Sequence, residues 1–252
     1  MILLLTKTFD MKKSIITLFT VLTVLFCSCH FHHIAPGSLT VEKRTPINFT
    51  GISIDNAFDV YITQGDTEEL EIKAYSGYLP HIISKVQDGI LKIYYDYELD
   101  DEDIRSRYNS KAYITIKSLN SISASGASKI SGSNDFNADN ASIRLSGASS
   151  IDITYYISNT VSCKASGASK ISLRGSAKTI QAEGMSGASD LKAYNMPAET
   201  VIVDVSGASQ AEVNVSMELD ATASGASEVK YKGNPAFINQ HSSGASHISK
   251  VD

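Results

Sequence analysis

The tetrapeptide Ser125-Gly126-Ala127-Ser128 decides the fold, because it recurs in identical form along the second half of the chain. Seven copies begin at Ser125, Ser146, Ser166, Ser186, Ser206, Ser224 and Ser243, with steps of 21, 20, 20, 20, 18 and 19 residues. A fixed period in this range is the sequence signature of a solenoid, in which each unit buries its apolar stripe only against its neighbours.

Apolar residues alternate with polar ones on both sides of each copy, as they do in β-strands. No useful length of this half repeats with the helical period of about 3.6 residues. The pattern predicts an all-β fold, a single-stranded parallel β-helix (β-solenoid) with coils of about 20 residues, each built of two or three short strands. We expect the position five residues after each copy begins to form an inward-facing core ladder, of which the members are Ile130, Ile151, Ile171, Leu191, Val229 and Ile248.

The motif itself is predicted to be the corner that joins two strands. Its second residue supplies a positive φ or room for the neighbouring coil, at Gly126, Gly147, Gly167, Gly187, Gly207, Gly225 and Gly244. We expect the alanine at the third position to point inward, and the serines to bond the backbone or to stack as hydroxyl ladders. The fourth copy places Glu183 at an inward position, and a bulge at Gly184 would return Ala182 and Ile180 to the interior.

The seventh coil is the most polar, with Gln240, His241, Ser242 and Lys250 near its motif. Terminal repeats meet water, so this coil is predicted to be a weak cap. An exposed coil edge can pair with another chain, which makes a homo-oligomer through the coil edges one of the expected partnerships.

The N-terminus has the form of a bacterial export signal. Met11-Lys12-Lys13 precedes an apolar run over residues 15–26, which is shorter than the ~20 apolar residues of a membrane span. We expect residues 1–28 to be a signal peptide, with Met11 as the true start. Ser28 before Cys29 resembles the lipobox of bacterial lipoproteins, in which the cysteine is acylated. The alternatives are a plain cleaved signal and an uncleaved anchor.

Residues 29–39 are expected to form a tether between this anchor and the folded domain. Acyl chains on Cys29 would hold the protein on a membrane, since each buried methylene contributes ~0.8 kcal/mol. His30, His32 and His33 suggest a metal site, but no second cluster completes one. We therefore expect no metal and no other cofactor.

The predicted domain covers residues 40–252, with an irregular β region at 40–120 ahead of the seven-copy repeat at 121–252. Short alternating runs between turn residues predict a series of strands in the first region. The segment 96–107 is rich in aspartate and glutamate, which suggests a calcium site. Its spacing does not match an EF-hand loop, so a solvated acidic loop is favoured.

Composition excludes some classes of protein. The net charge is −5 and no basic stripe is present, so nucleic acid is not an expected partner. Three cysteines, two of them near the N-terminus, give no disulfide framework.

Catalytic chemistry is also disfavoured. Glycoside chemistry needs paired carboxylates, but Asp190 and Glu228 fall in a row that also holds lysine, serine, glutamine and histidine, which indicates a solvated face. The motif serines have no recurring histidine and acid partners, as a nucleophile elbow would need. We therefore expect no enzymatic activity and assign no catalytic residue.

Three features resemble the bacterial "putative auto-transporter adhesin, head GIN domain" family: the stretch Phe49-Thr-Gly-Ile-Ser-Ile-Asp-Asn-Ala-Phe-Asp-Val-Tyr-Ile-Thr-Gln-Gly65, the run Gly89-Ile-Leu-Lys-Ile93, and the string of Ser-Gly-Ala-Ser turns. The resemblance spans about residues 48–250. It implies an exported protein of the Bacteroidetes type, commonly with a lipoprotein signal, and a right-handed β-helix-like fold. It supplies no catalytic residues.

Together these features predict an exported, membrane-anchored adhesin-like protein of the cell envelope, held at the outer membrane, with a non-catalytic binding role. The sequence leaves open whether its ligand is a glycan or a protein. The alternatives are a structural, self-assembling envelope scaffold and a polysaccharide-acting β-helix enzyme.

Overall fold

The computed structural model of the protein describes residues 36–96 and 110–252, which form sixteen β-strands and one short 3-10 turn, Leu79–His81. The strands pair mainly in parallel and stack into a β-solenoid of about six turns with coils of about 20 residues. The predicted fold class is confirmed.

Several sequence predictions lie outside the described residues. They are the signal peptide at 1–28, the acylated Cys29, the tether histidines and the acidic segment from residue 97 onward. These stay predictions.

Eight strands precede or open the repeat: β1 (Leu39–Arg44), β2 (Gly51–Ile54), β3 (Asp59–Gln64), β4 (Glu69–Tyr75), β5 (Ile82–Gln87), β6 (Ile90–Tyr95), β7 (Lys111–Ile116) and β8 (Ser121–Ala124). The repeat continues through β9 (Lys129–Leu145), β10 (Ser150–Ala165), β11 (Lys170–Met185), β12 (Asp190–Val205), β13 (Gln210–Ala223), β14 (Glu228–Lys232), β15 (Phe237–Ser242) and β16 (His247–Lys250). Each Ser-Gly-Ala-Ser copy lies between two of these strands.

The core of the repeat is a column of aliphatic side chains in register. Ile130 pairs with Ile151, which pairs with Ile171, and Leu191, Ala211 and Val229 continue the column. All of these side chains are buried, whereas Ile248 in the last coil is only half-buried. Burial of this apolar column contributes about 25 cal/mol per Å² and is available only because each coil covers the next.

Each full coil has two arms rather than separate short strands. In β10 the buried residues alternate from Ile151 to Ile157 and again from Val161 to Ala165. The pairing with both neighbouring coils shifts between Ile157 and Thr160. Hydrogen bonding otherwise continues through this second corner, so β9–β13 each run for 14 to 17 residues where two or three short strands were expected.

The predicted bulge in the fourth copy is present. The pairing of β11 with β12 shifts between Glu183 and Met185, and Gly184 has a φ of +91°. Glu183 is exposed as a result, while Ala182 and Ile180 are buried.

One expectation about the motif is wrong. The alanine at the third position is exposed in every copy, whereas the serine at the fourth position is buried in the first six copies and half-buried in the seventh. In six copies the hydroxyl of that serine donates to the carbonyl of the first serine, for example Ser169 Oγ to Ser166 O at 2.8 Å. A serine is tolerated inside because its one polar group closes the corner that it belongs to.

The motif glycines stack directly on one another. Gly187 has a φ of +77°, and a Cβ added to it would lie 2.6 Å from the carbonyl oxygen of Gly167. The next residue, Ala188, donates its backbone N–H to that same oxygen at 2.7 Å. Both the positive φ and the close approach exclude a side chain here.

The region before the repeat forms one more coil and the strands that pair with the far side of that coil. β2 and β3 form this coil, and its corner residue Asn56 has a φ of +76° and lies beneath Gly126. Asparagine is the residue other than glycine that most readily takes this conformation. β6 and β7 extend the parallel pairing, and β1, β4 and β5 add antiparallel strands beyond them.

The last coil is open. All six residues of β15 are exposed, although Ile238 is in register with the buried Leu219. No strand of the described chain covers the far side of β15 or β16.

Candidate functional site

A polar groove opens on the outside of the first coils, with a volume of about 920 Å³. The segment between β7 and β8 forms one side, and the second corners of β9 and β10 form the other. This polar groove is lined by Ser118, Asn120, residues 137–142, residues 156–158 and Ser176.

The groove exists because the coil beneath β9 has no strand at the second corner, between its two arms β3 and β8. β3 pairs with the start of β9 as far as Ile62 against Gly132, and β8 resumes the pairing at Ser121 against Ser142. Between these points, residues 133–141 of β9 have no partner strand on this side in the described part of the chain. The missing stretch of strand leaves a step in the wall of the solenoid.

The Gln64 side chain replaces part of the missing strand. Its oxygen accepts the backbone N–H of Asn137 at 2.7 Å, and its nitrogen donates to the carbonyls of Asn137 at 3.3 Å and Lys117 at 2.9 Å. The Asn134 side chain in turn exchanges two hydrogen bonds of 2.9 Å with the Gln64 backbone. The primary amides thus satisfy backbone groups that a strand would otherwise have paired.

The opposite side of the groove is fixed from inside the core. The Tyr155 hydroxyl donates to the carbonyl of Leu119 at 2.8 Å, between the two lining residues Ser118 and Asn120. The Tyr155 ring meets Phe136 edge to face, with 5.5 Å between centroids. Burial raises the pKa of Tyr155, so the hydroxyl keeps its proton and remains a donor throughout the physiological range.

Several lining side chains keep hydrogen-bonding capacity toward solvent. Asn120 accepts from Ser118 Oγ at 3.1 Å, Asn140 accepts from the backbone N–H of Thr160 at 3.3 Å, and Asp139 accepts from Ser158 Oγ at 2.6 Å. Among the described residues, the amide nitrogens of Asn120 and Asn140 donate no hydrogen bond, and the Asn137 side chain makes none. The groove therefore presents unused amide donors beside one carboxylate.

One aromatic side chain stands among these polar groups. Tyr156 is 45% exposed and is in register with Asn137 on one side and Ser176 on the other. Such a residue offers an apolar ring face together with a polar hydroxyl.

The lining chemistry suits binding. Asp139 is the one carboxylate among the lining residues, so the groove does not supply the carboxylate pair of a glycosidase. In residues 36–96 and 110–252, no group of three or more histidine, cysteine, aspartate or glutamate side chains could hold a metal ion.

The residues that the sequence singled out lie elsewhere. The core-ladder residues are inside the solenoid and the seven glycines are at the first corner, and none of them lines the polar groove. Asp190 and Glu228 are separated by Gln210 in the same row, and Glu228 accepts from Gln210 Nε2 at 3.1 Å and Lys230 Nζ at 2.8 Å. This row is a surface of paired polar groups.

Sequence reasoning missed the groove, although a signal for it was present. The run Asn134-Asp-Phe-Asn-Ala-Asp-Asn140 concentrates amides and carboxylates inside a strand of the repeat. Asparagine and aspartate are depleted in strands, so their density here marks a place where the backbone lacks a partner strand.

Comparison with known families identifies the protein. Residues 48–235, more than half of the chain, match the family model described as "Putative auto-transporter adhesin, head GIN domain". The chain belongs to this family. The resemblance recognised in its sequence is thereby confirmed.

Solved structures share the fold of this head GIN protein. A "putative adhesin" from Bacteroides fragilis NCTC 9343 superposes with a TM-score of 0.81 at 23% identity, covering 87% of this chain and 100% of the other. A "putative lipid binding protein" from Parabacteroides distasonis ATCC 8503 gives 0.67 at 18% identity, covering 86% and 98%. A "putative adhesin" from Parabacteroides merdae ATCC 43184 gives 0.65 at 19% identity, covering 86% and 97%.

No curated protein matches the sequence of this head GIN protein. Within the described residues, none of the helical segments is both long and apolar enough to span a membrane.

Proposed function

We propose that this head GIN protein is an exported, lipid-anchored, adhesin-like protein that binds its ligand without catalysis. The observation that carries the proposal is the polar groove, where unused hydrogen-bond donors are held on a stack of strands. Family membership supports an adhesin-like role and a cell-surface or exported location. Sites on strands keep their geometry, which lowers the entropic cost of binding.

The binding role is tested by adhesion of coated beads. Beads carrying the full-length chain are expected to adhere to intact cells and to surfaces coated with glycoproteins, above the level of beads carrying albumin. Adhesion equal to that of albumin on all surfaces would contradict the binding role.

The anchor is proposed at Cys29, where the lipobox-like sequence would direct acylation. Expression with labelled palmitate is expected to label the wild-type protein in the membrane fraction, and Cys29→Ser should abolish the label. Cys163→Ser is the matched control, because the only other cysteine of the expected mature chain is buried in β10. Label retained in Cys29→Ser would refute the lipid anchor.

A scaffold role remains the second candidate, because one edge of the solenoid is open. Phe237 and Ile238 of β15 are 69% and 51% exposed, and β15 is an edge strand that pairs with β13 on one side and with no strand of the described chain on the other. Exposed apolar edges associate with other chains. If the protein self-assembles here, sedimentation at rising concentration should show oligomers that Ile238→Lys weakens. Ile47→Lys, at an isoleucine that is 63% exposed outside the last coil, should leave them unchanged.

A further inference from the structure

We infer that the polar groove is a carbohydrate site that takes an uncharged oligosaccharide. The inference deepens the proposed binding function and rests on it. Its basis is the combination, in one cavity, of unused planar amides, a carboxylate and an exposed aromatic ring.

The polar lining matches the chemistry of sugar hydroxyls. Each hydroxyl both donates and accepts, so it pairs best with groups that offer donors and acceptors side by side. Asn120, Asn137 and Asn140 supply amide donors without a partner in the described chain, and Asp139 keeps one oxygen beyond the one that Ser158 occupies.

Tyr156 supplies the apolar contact that a sugar ring needs. The C–H groups on one face of a pyranose form an apolar patch, which packs against an aromatic ring. Tyr156 is in the same outward row as Asn137 and Ser176, so a sugar above its ring would lie within reach of both polar neighbours.

Charge favours a neutral sugar. Asp139 is the only ionisable carboxylate that lines the groove, and no lysine or arginine lines it. Arg144 is outside the lining, and its guanidinium donates to Ser142 Oγ at 2.6 Å. An acidic sugar would meet Asp139 without a dedicated cation, so its carboxylate would be repelled.

Size favours an oligosaccharide. The volume of about 920 Å³ is near the top of the range of about 300–1,000 Å³ that is usual for small-molecule sites. The groove is also open to solvent on the outside of the coils, which leaves room for a chain of sugars to extend beyond it.

A peptide is disfavoured as the ligand. A strand would bind by pairing with the open edge of β9, but Gln64 already occupies the backbone N–H and carbonyl of Asn137. The edge beyond it, residues 138–141, is short and lies at the second corner of the coil. Strand addition needs a longer, straighter edge than this.

The test uses the full-length chain purified in detergent. It is applied to an array of neutral oligosaccharides (gluco-, manno-, galacto- and xylo-oligomers), acidic oligogalacturonates and extended peptides. We expect neutral oligosaccharides to bind and the other two classes not to bind. The strongest neutral binder is then titrated against variants.

Tyr156→Ala is expected to weaken that binding about tenfold, the factor that corresponds to loss of one good aromatic contact. Asn137→Ala, which removes a side chain with no hydrogen bond in the described chain, should also weaken it. Tyr113→Ala is the matched control, since this tyrosine is 39% exposed but stacks on Tyr61 outside the groove. All three variants should keep the wild-type circular dichroism spectrum.

The outcomes separate the inference from the proposed function. If coated beads adhere but no neutral oligosaccharide binds, or if Tyr156→Ala and Asn137→Ala bind like the wild type, the carbohydrate site is wrong and the adhesin-like role stands. Binding of peptides or acidic sugars alone also overturns the inference. If the chain neither adheres nor binds any member of the array, both proposals fail.

Discussion

At the scale of single residues, the repeated corner assigns a different task to each of its four positions. The glycine allows the left-handed backbone and the close stacking, the alanine faces solvent, and the fourth serine closes the turn from inside. The glycine and the fourth serine therefore determine the repeated shape of the corner more than the first serine and the alanine do.

Replacement of Gly187 by alanine tests the stacking. Gly187→Ala and Gly184→Ala both place a side chain at positive φ, which costs about 1–2 kcal/mol. Only the first also drives a Cβ to 2.6 Å from a backbone oxygen, whereas nothing lies within 4 Å of the second. Urea denaturation should show that Gly187→Ala lowers the free energy of unfolding by about 1–3 kcal/mol more than Gly184→Ala does. Equal losses would mean that the close approach is unimportant.

The two serines of one motif copy give a second comparison. Ser169→Ala removes the hydroxyl that donates to Ser166 O, and we expect it to lower the free energy of unfolding by about 1 kcal/mol. Ser166→Ala should change stability by less than about 0.5 kcal/mol, because Ser166 is exposed and its hydroxyl makes no hydrogen bond in the described chain. Thermal and urea unfolding measure both. A larger loss in Ser166→Ala would contradict the assignment.

Cys163 provides a prediction that depends on pH. Burial raises the pKa of its thiol from 9.0 to about 12, so the folded protein favours the protonated form. The stabilisation is complete below pH 9, where the unfolded thiol is also protonated, and it is lost as the pH rises from 9 toward 12. At pH 8 iodoacetamide should label Cys163 only after denaturation, because the thiolate is the reactive species. Rapid labelling of the folded protein would show that the site is open.

At the scale of elements, the alternation along a coil arm decides which residues carry the fold. Ile151 faces the core and is 1% exposed, whereas Ser150 beside it lies in the outward row between Lys129 and Lys170. A charged side chain is therefore tolerated at the outward position 150 and not at the inward position 151.

Ile151→Asp should remove the native fold, since a buried, unpaired carboxylate and a lost aliphatic contact exceed about 4 kcal/mol together. Ser150→Asp introduces the same side chain one residue earlier, where two lysines face it, and should be neutral within about 0.5 kcal/mol. Circular dichroism melting of the two variants decides the matter. A native melting temperature in Ile151→Asp would refute the inward assignment.

The elements also show how far sequence reasoning reaches. The coil period, the inward positions and the bulge at Gly184 follow from alternation, because each misplaced apolar residue has a large cost. The burial of Ser169 does not follow from alternation, because a polar serine is expected on the outside. Its side chain is buried because its hydroxyl donates to the carbonyl of Ser166. The coil ahead of the repeat was missed as a coil because Asn56 replaces the glycine of its corner.

The period of the repeat does not predict the groove, and the only sequence signal for it is the run of asparagine and aspartate at residues 134–140 of β9. The groove forms because no strand of the described chain pairs with residues 133–141 of β9 on the side of β3 and β8, and the Ser-Gly-Ala-Ser motif does not mark this missing stretch. Its depth depends on where Gln64 and Leu119 are held by partners far away in sequence. The alternation of apolar and polar residues indicates which face of a strand a side chain lies on. It does not indicate whether a neighbouring strand is present.

At the scale of the whole molecule, stability should decline toward the open coil. Ala188 and Ala245 donate to the glycine of the preceding coil at the same distance, 2.7 Å. The first bond lies in the middle of the stack and the second in the last coil. Hydrogen exchange is expected to protect Ala188 far more than Ala245, since terminal repeats open without disturbing the rest. Equal protection would mean that the repeat unfolds as a single unit, or that another chain covers the last coil.

The glycine column has a consequence for the length of the protein. Every corner offers the next one the same carbonyl oxygen in the same place, so Gly207 could rest on Gly167 as well as it does on Gly187. Coils in the middle of the repeat are therefore structurally equivalent, and coils could be added or removed without changing how their neighbours stack. The groove uses only β9, β10, β11 and the segment between β7 and β8. Lengthening or shortening the rod beyond them would change its span and leave its recognition surface as it is.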